Sequence, residues 1–250
     1  MISKEVKITY IGGPTALFEI SGLRFLTDPT FDPANTDYPT PVYTLHKLRS
    51  PVINPEKLGD VDYVLLSHDH HFDNLDHAGR NFLSGVKSVF TTTASAKRLN
   101  GNAVGLENWQ TIEVPGQNNR TIRITGTPCR HGPADGDRGP VTGFVLQYEG
   151  DDQDGIYISG DTVWYEGVEE VARRFEIRLA ILFMGAAIVK EVGTDHLTMT
   201  AEEAVKAAGF FDKAKIMPLH FDGWSHFSES GKEIETAFKN AGMEERLLII

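Results

Sequence analysis

The chain has 250 residues and a formal net charge of −11, with 40% hydrophobic and 24% charged residues. This composition is ordinary for a globular protein with a sizeable core, and we expect one domain over residues 1–250. The acidic balance supplies no basic surface for a phosphate backbone, so we expect no nucleic-acid partner. No segment has the length of a membrane span and Cys129 is the only cysteine, so we expect no membrane partner, no internal disulfide and a cytoplasmic location.

Apolar alternation and turn residues predict the elements of the first half of the chain. Strands are expected at residues 6–11, 16–20, 23–27, 62–66 and 88–92, and helices at 75–83 and 94–99. Residues 29–55 hold six of the twelve prolines and show little periodicity. Loops of this length within a compact domain are usually functional, so we expect a pocket wall or a lid here.

The second half of the chain continues to alternate strands with helices. Strands are expected at residues 109–114, 121–126, 141–148, 156–159, 179–184, 216–219 and 247–250, and helices at 166–175, 200–209 and 229–241. Turns are expected at 116–119 and at the acidic segment 150–155. A capping box marks the start of one helix, because Glu203 follows Thr200 by three residues. The pattern suits an α/β domain of two sheets with outer helices.

The polar segment after the strand at 62–66 concentrates metal-binding side chains. Residues 68–73 contain three histidines and two aspartates. Neutral imidazole nitrogens and carboxylate oxygens are ligands of Zn²⁺ and similar ions, and a strand end holds such ligands rigidly. The alternative interpretation is a solvated polar turn that happens to be rich in histidine.

Three later strands end on residues of the same chemical type. His131 follows the strand at 121–126, Asp161 follows the strand at 156–159, and His220 follows the strand at 216–219. Repeated delivery of histidine and aspartate by strand ends favours a shared metal site over four unrelated polar turns.

The chain resembles the metallo-β-lactamase fold hydrolases in the order and spacing of Ser67-His68-Asp69-His70-His71-Phe72-Asp73, His131, Ser159-Gly160-Asp161 and His220. Segments 195–204 and 220–224 are similar to the branch that includes the ascorbate-6-phosphate lactonase-like proteins. The resemblance implies an α/β fold, a four-layer αββα sandwich of two mixed sheets with outer helices. It also implies a metal cleft at one edge of the two sheets.

The first histidine motif departs from the family's usual His-x-His-x-Asp-His. One register begins with His68 and His70 but places Phe72 where the aspartate belongs. The other counts back from Asp73, takes His71 as the second histidine and leaves Asn74 in place of the last one. We favour the second register because Asp73 is the only carboxylate that completes the motif. His70 stays open as an alternative ligand or as a neighbour of the ligands.

The resemblance implies two sets of ligands. The first ion would be held by His68, His71 and His131, and the second by Asp73, Asp161 and His220, with Asp161 bridging both ions. Zinc is the expected metal, as one or two ions, and manganese or iron are alternatives. Asparagine binds metal more weakly than imidazole, so Asn74 predicts a weakened second site. Alternatively, Asn74 caps the helix that follows.

The implied reaction is hydrolysis of a small-molecule ester, lactone or phosphoester by a metal-bound hydroxide. Asp73 would orient the attacking water and later pass its proton to the leaving group. His196 would stabilise an oxyanion or contact a substrate phosphate, unless it only packs between a loop and a helix. The roles of Asp28 and His226 are left open, and the loop 132–140 is a candidate substrate loop.

Two other functions stay open at this point. One is an oxidative enzyme of the same fold that uses a single iron ion, although no cysteine pair or flavin segment supports electron transfer. The other is a non-catalytic metal-binding protein with a degenerate second site, which the asparagine at position 74 keeps in consideration.

Overall fold

The structure, a computed structural model, describes residues 6–116, 120–148 and 151–249, and of residues 151–154 only the backbone. In chain order, the strands are β1 (Val6–Gly12), β2 (Thr15–Ile20), β3 (Leu23–Thr27), β4 (Asp37–Pro39), β5 (Thr44–His46), β6 (Tyr63–Leu65), β7 (Ser88–Thr92), β8 (Ala103–Leu106), β9 (Thr111–Pro115), β10 (Thr121–Pro128), β11 (Thr142–Tyr148), β12 (Asp151–Ile158), β13 (Ile177–Phe183) and β14 (Lys215–Leu219). The α-helices are α1 (His77–Phe82), α2 (Thr93–Leu99), α3 (Glu166–Arg174), α4 (Ala201–Phe210) and α5 (Gly231–Asn240). Within the described ranges, none of the helices has the length and hydropathy needed to cross a membrane.

Two six-stranded mixed sheets carry the fold. The first has the order β1-β2-β3-β6-β7-β8, and the second has the order β14-β13-β12-β11-β10-β9. In the first sheet β3, β6, β7 and β8 run parallel, and in the second β12, β13 and β14 do. Because parallel neighbours end at the same edge of a sheet, the segments after β3 and β6 lie side by side, and so do those after β12, β13 and β14.

Apolar side chains on both faces of each sheet produce four layers. Phe18 of the first sheet and Phe144 of the second belong to one buried core between the sheets. On the outer face of the second sheet, Val171 of α3 and Phe238 of α5 are buried in a second core. Leu83, just after α1, is buried against the outer face of the first sheet. The predicted αββα sandwich of two mixed sheets with outer helices is therefore confirmed.

Most predicted elements agree with the structure to within a few residues. The capping box of α4 is present, because the Thr200 side chain accepts from the Glu203 amide and the Glu203 side chain accepts from the Thr200 amide. Strand β8 and the small hairpin β4–β5, which lies within the loop 29–55, are not predicted from the sequence. Residues 117–119 and residue 150 of the two predicted turns lie outside the described residues.

The predicted strand at 247–250 is wrong for the residues that the structure describes. A short 3-10 helix occupies Glu244–Arg246, and only an isolated bridge joins Leu247 to Ile216 of β14. Within the described residues, the pairing with β14 is limited to this bridge and to one hydrogen bond, from the Leu248 amide to the carbonyl oxygen of Ile216 at 2.8 Å. The apolar character that suggested a strand instead lets Leu247 pack against the outer core of the second sheet.

Candidate metal centre

Six side chains from the two sheets converge at one edge of the sandwich. They are the six predicted ligands, His68, His71, Asp73, His131, Asp161 and His220. Ligand atoms of His68, His131 and Asp161 lie within 4.8 Å of one another, and so do those of Asp73, Asp161 and His220. Two groups of ligand-type atoms therefore share Asp161, and the strand ends of β6, β10, β12 and β14 position them.

His71 lies between the other two histidines of the first group. Its Nδ1 is 2.9 Å from Nε2 of His68 and 3.2 Å from Nε2 of His131. Nδ1 of His131 lies 2.8 Å from the carbonyl oxygen of Leu197. A carbonyl oxygen only accepts, so the proton of His131 is on Nδ1 and its Nε2 presents a lone pair to the cluster.

Asp28, directly after β3, sets the orientation of His68 through Ser67. The Asp28 carboxylate accepts from the amide and from the hydroxyl of Ser67, both at 2.6 Å. The Ser67 hydroxyl then accepts from Nδ1 of His68 at 2.9 Å, which leaves a lone pair on Nε2 of His68. Burial raises the pKa of Asp28 to about 7, although the hydrogen bonds from Ser67 oppose this shift. The sequence leaves the role of Asp28 open. In the structure, Asp28 orients the His68 ring through the Ser67 hydroxyl.

The three imidazoles fit a cation better than they fit one another. Nδ1 of His71 can carry one proton but faces two lone pairs, so at least one contact would bring two lone pairs together. Burial, together with the neighbouring imidazoles, lowers the pKa of His68 well below its usual range and that of His71 to about 3. Both rings are therefore neutral at pH 7, the state in which imidazole binds Zn²⁺.

The second group combines two carboxylates with one orphaned imidazole. Nε2 of His220 lies 3.4 Å from Oδ2 of Asp73 and 3.6 Å from Oδ1 of Asp161. The ring is buried, and neither of its nitrogens has a hydrogen-bond partner among the described residues. Burial disfavours the protonated ring, but Asp161 and Asp73 outweigh it and raise the pKa of His220 to about 10. Separations of this size suit atoms that surround one cation rather than atoms that share a proton.

Asp161 lies between the two groups and Asn74 holds it from one side. Oδ2 of Asp161 is 3.7 Å from Nε2 of His131, whereas Oδ1 faces His220. The Asn74 side-chain amide donates to Oδ1 of Asp161 at 3.2 Å and to Oδ2 of Asp28 at 3.1 Å. The Asn74 amide therefore donates to a carboxylate of this site, while its own Oδ1 is buried without a hydrogen-bond partner among the described residues.

The alternative role of Asn74 as a helix cap is wrong. Helix α1 begins at His77, and its N-cap is Asp76, whose side chain accepts from the Gly79 amide at 2.8 Å. The sequence offers both Asn74 and Asp76 as capping residues, because both side chains carry a suitable oxygen. The tertiary structure selects Asp76 because the buried carboxylates draw the Asn74 side chain away from the helix.

The two candidate registers of the histidine motif place His70 and His71 differently. His71 points at both His68 and His131. Nε2 of His70 instead lies 3.0 Å from the carbonyl oxygen of Arg138, to which it donates. Ligand atoms of His68, His70 and His71 still lie within 4.8 Å of one another. Because Nε2 of His70 donates to Arg138, only Nδ1 of His70 is left to face a cation. The geometry favours His71 because it alone contacts both partner histidines.

The structure does not bring His196 into this cluster. Nε2 of His196 lies 3.2 Å from Oε1 of Glu203 in the first turn of α4. This contact outweighs partial burial and raises the pKa of His196. The oxyanion or phosphate role of His196 stays a prediction, and its contact with Glu203 agrees with the alternative in which it packs between a loop and the helix.

A small cleft of about 50 Å³ opens onto the cluster, and His226 lies in it beside Asp73. Its walls are Tyr43 and Leu45 from the hairpin β4–β5, Arg138 from the loop after β10, and Ala187, Val189 and Leu197 from the segment before α4. The loop at 29–55 thus supplies part of the pocket wall, as expected, and the candidate substrate loop 132–140 contributes its arginine.

Sequence reasoning leaves His226 open, includes Arg138 only as one member of the candidate substrate loop, and does not single out Tyr43 as a cleft residue. A signal for His226 exists, because it follows His220 by six residues and has Trp224 and Phe227 as aromatic neighbours. Tyr43 and Arg138 belong to irregular segments, where no periodic pattern tells which side chain faces inward. Only the folded arrangement of these segments places them at the cleft.

Comparison with known proteins bears on this centre. The family model described as a β-lactamase superfamily domain matches residues 23–221, which include all six candidate ligands. The UPF0173 protein YddR of Bacillus subtilis (strain 168) is 25% identical over 255 residues, covering 98% of this chain and 96% of YddR. A UPF0173 metal-dependent hydrolase of Pyrococcus abyssi (strain GE5 / Orsay) is 28% identical over 238 residues, covering 92% of this chain and 91% of that relative.

Solved structures share the fold. The isothiocyanate hydrolase from Delia radicum gut bacteria superposes with a TM-score of 0.80 at 22% identity, covering 97% of this chain and 95% of that one. A possible metal-dependent hydrolase from Veillonella parvula DSM 2008 gives a TM-score of 0.83 at 22% identity with the same coverage. At these identities the likeness concerns the fold alone. The similarity to the ascorbate-6-phosphate lactonase-like branch stays a prediction.

Proposed function

We propose that the substrate of this chain is a small ester, lactone or phosphoester. The chain belongs to the β-lactamase superfamily domain family and is a metal-dependent hydrolase. One observation carries the proposal. The lone pairs of His68 and His131 converge on His71, beside an orphaned His220 that faces two carboxylates. This donor set suits a hydrolytic metal centre, because three neutral nitrogens bind one ion and leave a position open.

The proposed ligands form two sites of unequal strength. His68, His71 and His131 would hold the first ion, and Asp73, Asp161 and His220 would hold the second, with Asp161 shared by the two groups of ligand atoms. The first site is rich in nitrogen atoms even though it shares Asp161, which favours zinc, whereas the carboxylate-rich second site also suits manganese or iron. Asn74 replaces the last histidine of the usual motif, and an amide binds metal more weakly than imidazole, so we expect the second ion to bind more weakly than the first.

When bound, the metal lowers the pKa of a water molecule and polarises the substrate oxygen. The chain's own residues do the remaining work. Asp73 lines the cleft, so its carboxylate can accept a proton from the attacking water and pass it to the leaving group. The apolar walls at Leu45, Val189 and Leu197 exclude competing water and bind the body of the substrate.

A location in a reducing compartment, such as the cytoplasm, is part of the same proposal. The described part of the chain keeps Cys129 as a free thiol, and burial raises the pKa of this thiol well above its usual range. A protein with a single thiol gains no stability from an oxidising environment. Fractionation of cells that express the tagged chain would test the location.

The function is tested on purified protein that is stripped with a chelator and reloaded with zinc, manganese or iron. Metal content is measured by elemental analysis, and hydrolysis is measured on a panel of esters, lactones and phosphoesters. The panel includes an isothiocyanate, because a neighbour of similar fold carries that name. Oxygen consumption by the iron form would favour the oxidative alternative, and metal binding without turnover of any substrate would favour the non-catalytic one.

Two alanine variants tie the ligands to the activity. His68→Ala and His131→Ala should each lose the first ion and at least 100-fold in rate, because two nitrogens leave the site open to water. His46→Ala is the matched control, since His46 is an exposed histidine paired with Asp37 on the hairpin β4–β5. Full metal content and full rate in either ligand variant would overturn the assignment.

A further inference from the structure

Arg138 is the only arginine or lysine on the wall of the metal cleft, among the residues that the structure describes. Its backbone is tied to the ligand segment, because its amide donates to the carbonyl oxygen of His131 at 2.9 Å. Nε2 of His70 donates to the carbonyl oxygen of Arg138 at 3.0 Å. These two hydrogen bonds fix the start of the Arg138 side chain relative to the candidate ligands.

The guanidinium group of Arg138 has more donors than partners. One nitrogen, Nη2, donates to the carbonyl oxygen of Val192 at 2.9 Å. Nε is buried and has no hydrogen-bond partner within the described ranges. No carboxylate of the described residues forms an ion pair with Arg138, although the chain has an excess of acidic residues. A guanidinium carries five N–H donors, and the bond to Val192 uses one of them.

An unpaired arginine in a cleft has a defined preference among ligands. Its planar fork matches the paired oxygens of a carboxylate or a phosphate. The same wall carries the apolar side chains of Ala187, Val189 and Leu197, which suit a hydrocarbon body. The cleft is thus lined by three kinds of group, namely the candidate metal ligands, apolar side chains and the positively charged Arg138.

We propose that Arg138 binds an anionic oxygen group of the substrate, so that the substrate is a small acid whose carboxylate or phosphate lies apart from the bond that is hydrolysed. This inference rests on the proposed hydrolytic function and narrows its substrate class. The apolar wall contacts the part of the substrate that lies between its anionic group and the bond that is hydrolysed. Arg138 thereby determines specificity and fixes the orientation of the scissile bond over the metal centre.

The first experiment measures binding and needs no turnover. Zinc-loaded protein is titrated calorimetrically with acetate, malonate, succinate and glutarate, because a dicarboxylate of suitable length can reach the metal and Arg138 together. At least one dicarboxylate should bind 10-fold or more tightly than acetate. Arg138→Gln should weaken that dicarboxylate about 10- to 100-fold, the size of a charge-assisted hydrogen bond, and leave acetate unchanged.

Three controls make the binding test specific. Arg138→Lys keeps the charge but not the fork, so it should retain part of the preference for the dicarboxylate. Arg173→Gln removes an exposed arginine of α3 and should change nothing. Phosphonoacetate compared with malonate distinguishes a phosphate from a carboxylate as the preferred anion.

The second experiment measures turnover with 4-nitrophenyl hydrogen succinate and the neutral 4-nitrophenyl acetate. Arg138→Gln should lower kcat/KM about 10- to 100-fold for the anionic ester, mainly through KM, and less than 2-fold for the neutral ester. If the loaded wild-type protein hydrolyses neither ester and no other substrate of the panel, the hydrolytic proposal fails, and the binding experiment still decides the role of Arg138.

The proposal about Arg138 is overturned by any of three results. The first is that dicarboxylates bind the loaded wild-type protein no more tightly than acetate does. The second is that Arg138→Gln weakens acetate and dicarboxylate equally, which would show that the arginine only connects its loop to Val192. The third is that the loaded protein binds none of these anions, in which case the cleft holds no anion subsite.

Discussion

Nε2 of His226 lies 3.0 Å from Oδ2 of Asp73, the carboxylate that we propose as the proton carrier. Both side chains are largely shielded from solvent, at 8% and 9% exposure. Burial alone would raise the pKa of Asp73, but its contacts with His220 and His226 hold this pKa well below the usual range. His226 therefore keeps Asp73 ionised and fixes the direction of its carboxylate.

His226→Ala should keep its metal and lose 10- to 100-fold in kcat, because an outer partner that orients a reacting group typically contributes this much. His226→Gln should recover part of the rate, since its amide can still donate to Asp73. The measurement is kcat for the best substrate together with metal content. If His226→Gln recovers none of the rate lost in His226→Ala, the orienting role of His226 is contradicted.

Asn74→Ala should lower the affinity for the second ion by 10-fold or more and leave the first ion bound. The reason is that Asp161 and Asp28 both lose a buried donor. The loss of these hydrogen bonds should also cost about 1–3 kcal/mol of stability. Metal titration beside a thermal melt measures both effects, and Asn81→Ala, on the exposed side of α1, is the control. Unchanged binding of two ions would contradict the orienting role of Asn74.

The register of the histidine motif is tested by a pair of neighbouring variants. His71→Ala should remove the first ion, because Nδ1 of His71 faces both His68 and His131. His70→Ala should keep most of it, because His70 is bonded to the carbonyl oxygen of Arg138. Elemental analysis after dialysis distinguishes them. The reverse order of metal loss would show that His70 is the ligand.

Metal binding should release a proton from His220 at pH 8. In the metal-free fold the pKa of His220 is raised to about 10, so the ring is protonated at pH 8, whereas a ligand must be neutral. His68 and His71 have lowered pKa values and release nothing. Manganese is used for this test because it is a weaker Lewis acid than zinc. When it fills the second site, about one proton should be released from each wild-type chain and none from His220→Gln. Calorimetry in two buffers of different ionisation enthalpy gives the number.

The raised pKa of His220 also determines how the stability of the metal-free protein changes with pH. A base whose folded-state pKa lies above its unfolded value stabilises the fold fully below pH 6.5, and this contribution is lost as the pH rises toward 10. The metal-free protein should therefore lose stability between pH 7 and pH 10, and added metal should protect it most at the upper end. A melting temperature of the metal-free protein that stays constant over this range would contradict the protonated state of His220.

Lys47→Met should destabilise the protein by about 3–5 kcal/mol, because it leaves the buried Asp76 charge without its partner. Nζ of Lys47 lies 2.8 Å from Oδ2 of Asp76, and the two side chains are 4% and 0% exposed. Chemical denaturation measures the loss. Lys87→Met removes an exposed lysine that pairs with Asp62 at 2.6 Å, and it should cost less than about 1 kcal/mol. Equal losses in both variants would show that the buried pair has no special role.

The sequence by itself determined the fold class and the residue types of the site. The strand ends before His68 and His220 can be predicted because an apolar run stops abruptly at polar residues. This pattern involves only residues that are close together in the chain. The order of ligand-type residues along the chain then predicts one metal centre. The capping box at Thr200 and Glu203 is predicted for the same reason, since both partners lie within one turn of helix.

Only the tertiary structure decided which neighbours these residues meet. His226 and His196 are both open candidates in the sequence, and the fold directs one to Asp73 and the other to Glu203. Asn74 and Asp76 are both suitable caps, and buried carboxylates withdraw Asn74 from the helix. The physical reason is range: periodicity and capping act between residues close in the chain, whereas burial and ion pairing join residues that only packing brings together.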